Sequence, residues 1–363
     1  MAVSAVLAGC LSCSSESPTE TEPPTLPEQL QAALQSTLES YGGTGVSAAV
    51  LIPGEQPWAD AGGISHGSRG ITPQMLFGVS SITKSYVAAL VLDLAEQGQL
   101  TLEDSLHRWL PTMEHVDTTA TIRQLLNHTS GIHDFVEHPD LWPTLFAAPT
   151  ELWTPEEVIA TFVNAPYFAP GLGSRYSNTG YLLLGMIAEE ATGSRVSGEL
   201  RSRFWSPLNL SSTFLDVEEE ITGELAHAWN HLDGDGIPDD LSAIPRTAAS
   251  SATWTAGAVF STAEDLVEWT RALFQGDVLS ESSLHEMLAF NTSGFGLGTD
   301  SFGPEHFGAR AIGLAGSGLG YSGVMAYLQD YDASIAVLMN DNNLDCLFAT
   351  VSALVAVVRE HMP

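Results

Sequence analysis

Lysine is all but missing from this chain. Of 363 residues only Lys84 carries a side-chain amine; the other basic residues are arginines, and the 12 together face 44 acids for a formal charge of −32. So little positive charge leaves no basic patch to neutralise phosphate, which argues against nucleic acid as a partner. The same balance opposes docking onto anionic lipid and suits a soluble surface outside the cell or in a salty medium. Cysteine is scarce too. Cys13 falls in a polar tether and Cys346 in an apolar element, so no bridge between them is expected, and Cys346 reads as a small buried residue. Long apolar runs are also lacking: the longest, residues 347–358, falls short of the ~20 residues a spanning helix needs and reads as a core helix. Apolar residues as such are plentiful, at 44% with 14 phenylalanines, enough for one large or two intimate domains.

The one lysine stands in Ser81-Ile82-Thr83-Lys84. Arginine cannot give up its proton in a protein, whereas a buried lysine can, so a chain that keeps a lone lysine beside a serine points to a need for an amine there. A short apolar piece precedes Ser80 and Ser81, and a helix is predicted over Tyr86–Gln97, closed by Gly98. If Ser81 opens that helix, Lys84 lies one turn on along the same face, and the helix N-terminus favours negative charge developing at Ser81. The run 87–94 is apolar nearly all round, which places the helix in the core and its first turn in a dry, rigid setting. Taken alone, Ser81 would serve equally as an N-cap and Lys84 as a solvated charge; Ser-x-x-Lys is a weak motif by itself.

A helix is also predicted over Pro27–Tyr41, followed by a strand pair, Val46–Ile52 and Trp58–Ile64, turned at Pro53-Gly54. Helices and loops continue to about Ala248, with helices over Thr121–Asn127, Pro155–Asn164 and Thr179–Thr192; another runs Thr262–Phe274, capped by Ser261 or Thr262. The last third turns β-rich, at Gly294–Gly298, Ala311–Leu314, Gly320–Gln329 and Ser334–Met339, before a closing helix over about 343–361. Strands at both ends around a helical middle predict an α/β (α+β) fold in which both termini build one sheet and a helical subdomain is inserted. The expected division is a leader and linker at 1–26 and a single domain at 27–363. Its sheet part spans about 27–85 and 250–363, and its helical part about 86–249.

Tyr176-Ser177-Asn178 ends a turn-rich loop that runs into a helix. A phenol and an amide two residues apart can face one cleft, although Ser177, Asn178 and Thr179 also suit capping. In chain order, Ser81 to Lys84, Leu125-Leu126-Asn127-His128-Thr129-Ser130-Gly131-Ile132, Tyr176 to Asn178, and the stretch from Ala256-Gly257-Ala258 to Asp265-Leu266 form a set. That set resembles the penicillin-recognising serine hydrolases: class C β-lactamases, D-alanyl-D-alanine carboxypeptidases and family VIII-type esterases. The likeness runs from about Leu26 to the end. It implies a β-lactamase/transpeptidase-like fold with an antiparallel sheet flanked by helices, no cofactor, and a small-molecule or peptide substrate. By the same resemblance Ser81 is the acylated nucleophile, Lys84 its partner, Tyr176 the proton shuttle to the leaving group, and Asn178 a hydrogen-bonding partner of the substrate's amide. The family's strand motif falls at Leu314-Ala315-Gly316-Ser317. Gly316 and the backbone N–H of Ser317 remain to form an oxyanion hole with Ser81, and such donors are worth about 3 kcal/mol each. Leu314 stands where a lysine or histidine is usual. That departure weakens the carboxypeptidase and β-lactamase readings, favours an uncharged ester or amide, and motivates a rival reading, a binding protein that keeps the cleft without turnover.

At the amino end, Leu7-Ala8-Gly9-Cys10 resembles the lipobox of bacterial lipoproteins, without a positively charged start before it. The resemblance implies lipid at Cys10, a disordered tether over Ser12–Pro24, and a place on the periplasmic or extracellular face of the cell envelope, with membrane contact only through that anchor. Four other patterns carry less. Gly63-Ile64-Ser65-His66-Gly67 matches a nucleophile elbow but lacks the helix that motif needs. His128, His133, Asp134 and His138 have no recognised metal spacing, and His128 suits a structural place near the cleft floor. Asp233, Asp235 and Asp239 sit at calcium-loop positions, but His231 and Ser242 occupy the first and twelfth, where acids are needed, so no metal beyond a weak calcium site is expected. Glu218, Glu219 and Glu220 read as surface charge.

Overall fold

The computed structural model describes residues 23–230 and 238–362; Cys10, Cys13, His231, Asp233 and Asp235 lie outside the described residues. Seven strands form the main sheet: β1 (Gly45–Leu51), β2 (Trp58–His66), β3 (Arg69–Gly70), β4 (Asp300–Phe302), β5 (Ala311–Gly318), β6 (Tyr321–Leu328) and β7 (Ala333–Met339). Their order is β3-β2-β1-β7-β6-β5-β4, and every pairing is antiparallel. The seam between the chain's two ends is β1 against β7, from Val46 opposite Met339 to Leu51 opposite Ser334. β7 is buried along its whole length. A strand covered on both faces reads as a continuous apolar run, which is why Ala333–Met339 shows no polar alternation.

On one face lie α1 (Leu26–Tyr41) and the last helix, α5 (Leu344–His361), enclosing Leu30, Leu34, Val324, Val337, Leu347 and Leu354. The apolar run 347–358 is thus sheet-packed core, and among the described residues no helix is long and apolar enough to cross a membrane. Cys346 is buried there and unbridged. The other face carries the larger core, where α4 (Ala263–Phe274), α2 (Thr83–Glu96) and α3 (Thr179–Thr192) meet the helical middle of the chain. α2 is buried almost all round, with Tyr86 stacked on Trp269 (ring centroids 4.4 Å) and edge-on to Trp205 (5.7 Å).

Three expectations need correction. Ser81 does not open the α-helix: Ser80–Ile82 form a 3-10 turn and α2 starts at Thr83. Residues 294–298 form no strand. They turn, with Phe295 bridged to Asp300, and the sheet's edge falls at β4 instead, because Gly294 and Gly298 have positive φ (+85° and +70°) that break extended backbone. Glu218 and Glu219 are not free surface charges. Glu218 accepts from Ser197 N–H (2.9 Å) and is bonded by Trp254 Nε1, while Glu219 pairs with Arg201 (2.6 Å). Acids in turns are drawn in wherever N–H donors and a guanidinium lack other partners.

Candidate active site

The short strand Phe77–Gly78 pairs with Val259–Ser261, fixing where the chain enters the central helix. Ser80 turns it sharply with φ of +49°, a left-handed conformation that costs energy in a non-glycine residue and persists only when the surroundings impose it. The turn presents Ser81 at the start of the helical segment, where backbone N–H groups have no intrahelical partner. Lys84, three residues on, reaches back so that its Nζ donates to Ser81 Oγ (3.1 Å), Asn178 Oδ1 (2.7 Å) and the carbonyl of Ala256 (2.7 Å). All three of its donors are thereby occupied. Tyr176 Oη donates to the same Ser81 Oγ at 2.7 Å. Serine, lysine and tyrosine meet at one oxygen.

The loop carrying Tyr176 is held by backbone. Arg175 N–H donates to the His128 carbonyl (2.9 Å), Ser177 N–H to His128 Nδ1 (3.2 Å), and Tyr167 N–H to the Gly131 carbonyl (2.8 Å). Gly131 has φ of +72°, and a Cβ there would sit 2.0 Å from the Phe168 carbonyl oxygen, so only glycine lets the two loops touch. His128 is 4% exposed and stacks against Tyr176 (4.4 Å between centroids). Burial, with the nearby Lys84 charge, pushes its pKa down to about 3, so it is a neutral acceptor for Ser177 and a flat wall behind the phenol.

Burial also lowers Lys84, to about 7, against the opposing pull of Asp134 and Asp300. Desolvation of the ammonium outweighs the attraction of both carboxylates. Tyr176 moves the other way: burial raises its phenol above the ordinary value of about 10, so it keeps its proton at neutral pH. One member of the cluster can therefore accept a proton while another holds one to give.

Asp134 and Asp300 are the residues sequence reasoning missed at this site. Asn178 accepts from Lys84 through Oδ1 and donates through Nδ2 to both Asp134 oxygens (2.9 and 3.2 Å). Asp134 thus fixes which way the amide points, and with it which atom faces the lysine. Its carboxyl is raised by burial, against the pull of Val136 N–H and Lys84. With that donor committed to Asp134, Asn178 has one N–H left for a substrate. Asp300, at the start of β4, is raised to about 6 by burial, with Lys84 opposing. A cue for Asp134 was its place just after His128–Ile132; Asp300 had none, since residues 294–298 read as strand.

On the facing side, Gly316 lies against the turn that carries Ser81: a Cβ there would sit 2.4 Å from the Val79 carbonyl and 3.0 Å from Ser81 N. Only glycine lets β5 pass so close. Ser81 and Ser317 both line a cavity of about 550 Å³. Leu314 points away from solvent, 4% exposed, within the larger core. At the cavity Arg246 is paired with Asp216 (2.7 Å), and His227 Nδ1 is hydrogen-bonded to Asp240 (2.8 Å).

The remaining patterns disperse. Ser65 is buried in β2, where its Oγ accepts from His227 N–H. His133 lies tilted against Tyr167 (5.2 Å) and His138 edge-on to Phe162 (5.5 Å). Asp239 pairs backbone with Asn230 in a two-stranded ribbon. Among the described residues no three potential metal ligands converge.

Residues 30–357 match the family described as Beta-lactamase. The chain belongs to that family. Penicillin-binding protein 4 of Amycolatopsis lactamdurans is 30% identical over 243 residues, 62% of this chain and 58% of that protein. D-aminopeptidase of Brucella canis is 24% identical over 245 residues, 66% of this chain and 44% of that protein. The chain spans about half the length of the curated relatives it matches. Among solved structures, D-amino acid amidase from Ochrobactrum anthropi SV3 superposes with a TM-score of 0.80 at 27% identity, covering 92% of this chain and 99% of that one. D-stereospecific amidohydrolase from Streptomyces sp. gives 0.74 at 29% identity, covering 85% and 94%. For this member of the beta-lactamase family, neighbours of that likeness bear out the β-lactamase/transpeptidase-like fold, a mixed structure with an antiparallel sheet.

Proposed function

We propose that this protein is a serine hydrolase that cleaves an amide or ester through an acyl-enzyme on Ser81. The observation that carries the reading is the convergence on Ser81 Oγ of Lys84 Nζ at 3.1 Å and Tyr176 Oη at 2.7 Å. Neutral Lys84 takes the hydroxyl proton as Ser81 attacks the substrate carbonyl. The negative charge that develops on that oxygen falls to the backbone N–H groups of Ser81 and Ser317. Tyr176 gives its proton to the leaving amine or alcohol, and the proton that Lys84 took from Ser81 goes back to the phenolate. Water then cleaves the acyl-enzyme by the same relay in reverse. The family match and the amidase likeness support this chemistry.

The charges favour a substrate whose reacting end is neutral or cationic. Two carboxylates, Asp134 and Asp300, act on the one amine at the centre. Leu314 offers a carboxylate nothing, and Arg246 and His227 are engaged elsewhere. A penicillin or a peptide with a free C-terminus would bring an anion without a counter-charge, so simple amides and esters fit better. The test is labelling with a fluorophosphonate followed by intact-protein and peptide mass spectrometry, beside turnover of amides, p-nitrophenyl esters and a chromogenic cephalosporin. An adduct on Ser81, with turnover lost in Ser81→Ala, is expected. Folded protein that takes no adduct, with wild type and Ser81→Ala equally slow on every substrate, would instead establish a binding protein.

A further inference from the structure

The geometry points to a bulky apolar acyl group as the half of the substrate that stays bonded to the enzyme. This rests on Ser81 as the acylated nucleophile and adds which half of the substrate goes where. The cavity is lined by Ser80, Ser81 and Ser317 together with residues of the segments 142–149 and 241–260; Tyr176, though bonded to Ser81, is not among its walls. A leaving group has to collect a proton, and the phenol is the group holding one, so departure is on the Tyr176 side. What extends the other way, into the cavity, is the acyl half.

The walls are apolar and unfinished. Trp142 and Phe146 come from the helix Leu141–Ala147 with their rings 6.3 Å apart, and Leu225 and Ile244 close the opposite side. All four are only half-buried. Trp142, Leu225 and Ile244 back onto the main core, so the surface they leave uncovered faces the cavity rather than bulk packing. An apolar group lying there completes their burial, and each methylene buried is worth about fourfold in an equilibrium or rate. At about 550 Å³ the space is far larger than an acetyl group needs and falls within the range of cavities that enclose whole small ligands. An anionic acyl tail finds no uncompensated counter-charge, because Arg246, the fixed cation on the wall, is already neutralised by Asp216.

The test holds the leaving group constant. p-Nitrophenyl acetate, butyrate, octanoate and phenylacetate are compared by kcat/KM, the last two separating a chain from a ring. Octanoate or phenylacetate is expected to exceed acetate more than tenfold. In Ile244→Asp that ratio should fall at least fivefold, and Phe146→Ser, read alongside thermal melts, repeats the measurement should the first variant fold poorly. Equal or declining rates with acyl size, in protein whose Ser81 is labelled by fluorophosphonate, overturn the acyl-pocket assignment alone. So does a wild-type preference that both variants, folded, retain. No turnover of any ester together with an unlabelled Ser81 removes the hydrolase reading and this inference with it.

Discussion

Replacing Asp134 by asparagine removes one negative charge from Lys84, at the cost of the hydrogen bond that one carboxylate oxygen accepts from Val136 N–H (3.1 Å). The side chains are isosteric, and an asparagine amide turned the right way still accepts from Asn178 Nδ2, so the bridge to the lysine survives. Across that bridge, two hydrogen bonds of 2.7 and 2.9 Å with an amide between them, the charges stand roughly 6 Å apart. At an effective dielectric of about 20 such a pair is worth about 3 kcal/mol, close to two pK units. The sign follows from chemistry. Asp134 stabilises the ammonium and holds the Lys84 pKa up against desolvation, which has already brought it to about 7. Without it the pKa drops further, and the amine is neutral, able to take the serine proton, at lower pH. The acylation rate of wild type should therefore rise with pH through a midpoint near 7, and the limb of Asp134→Asn should lie one to two units lower. Stopped-flow acylation by a p-nitrophenyl ester between pH 4 and 9 reads both. A merely structural loss would lower the whole curve without moving it. A midpoint that stays put or moves upward would refute the idea that this carboxylate governs the lysine.

Two further substitutions test the same centre. Lys84→Arg keeps the charge but not the ability to lose a proton, so acylation of Ser81, followed by mass spectrometry, should fall by at least about 10³-fold; near-full activity would remove the lysine from the chemistry. Gly316→Ala places a methyl 3.0 Å from Ser81 N and 2.4 Å from the Val79 carbonyl, so the strand must retreat from the nucleophile. With one oxyanion donor displaced, kcat should fall about 10²–10³-fold while circular dichroism still shows a folded protein.

Much of this was legible one residue at a time. A lone lysine three positions after a serine, at the head of a helix apolar on every side, pointed to a buried amine, although the motif alone suited an N-cap and a solvated charge as well. The burial of Val46–Val50 and Ala333–Met339 likewise follows from their apolar character, interrupted only by Ser47 and Ser334. One sheet built from both ends was expected, yet no local signal said that these two strands would lie side by side as its seam. Helix boundaries shifted where tertiary contact overrode local preference: Ser80 adopts a left-handed turn because the Phe77–Gly78 pairing and β5 leave it no other path, and the helix starts at Thr83 in consequence.

What the sequence by itself determined was the inventory: which side chains are candidates for chemistry, which runs favour burial, and that position 314 holds no base. What only the tertiary structure decided was their arrangement. The oxygen of Ser81 is shared by Lys84 and Tyr176, 92 positions apart in the chain, because two loops meet at Gly131 and Phe168 and set the phenol across from the helix. Asp134 entered the site through an amide neither neighbour in sequence foreshadowed. Short-range pattern records what each residue prefers, whereas the strength of a charge or the pKa of an amine depends on distance and solvent access, and those exist only once the chain has closed on itself.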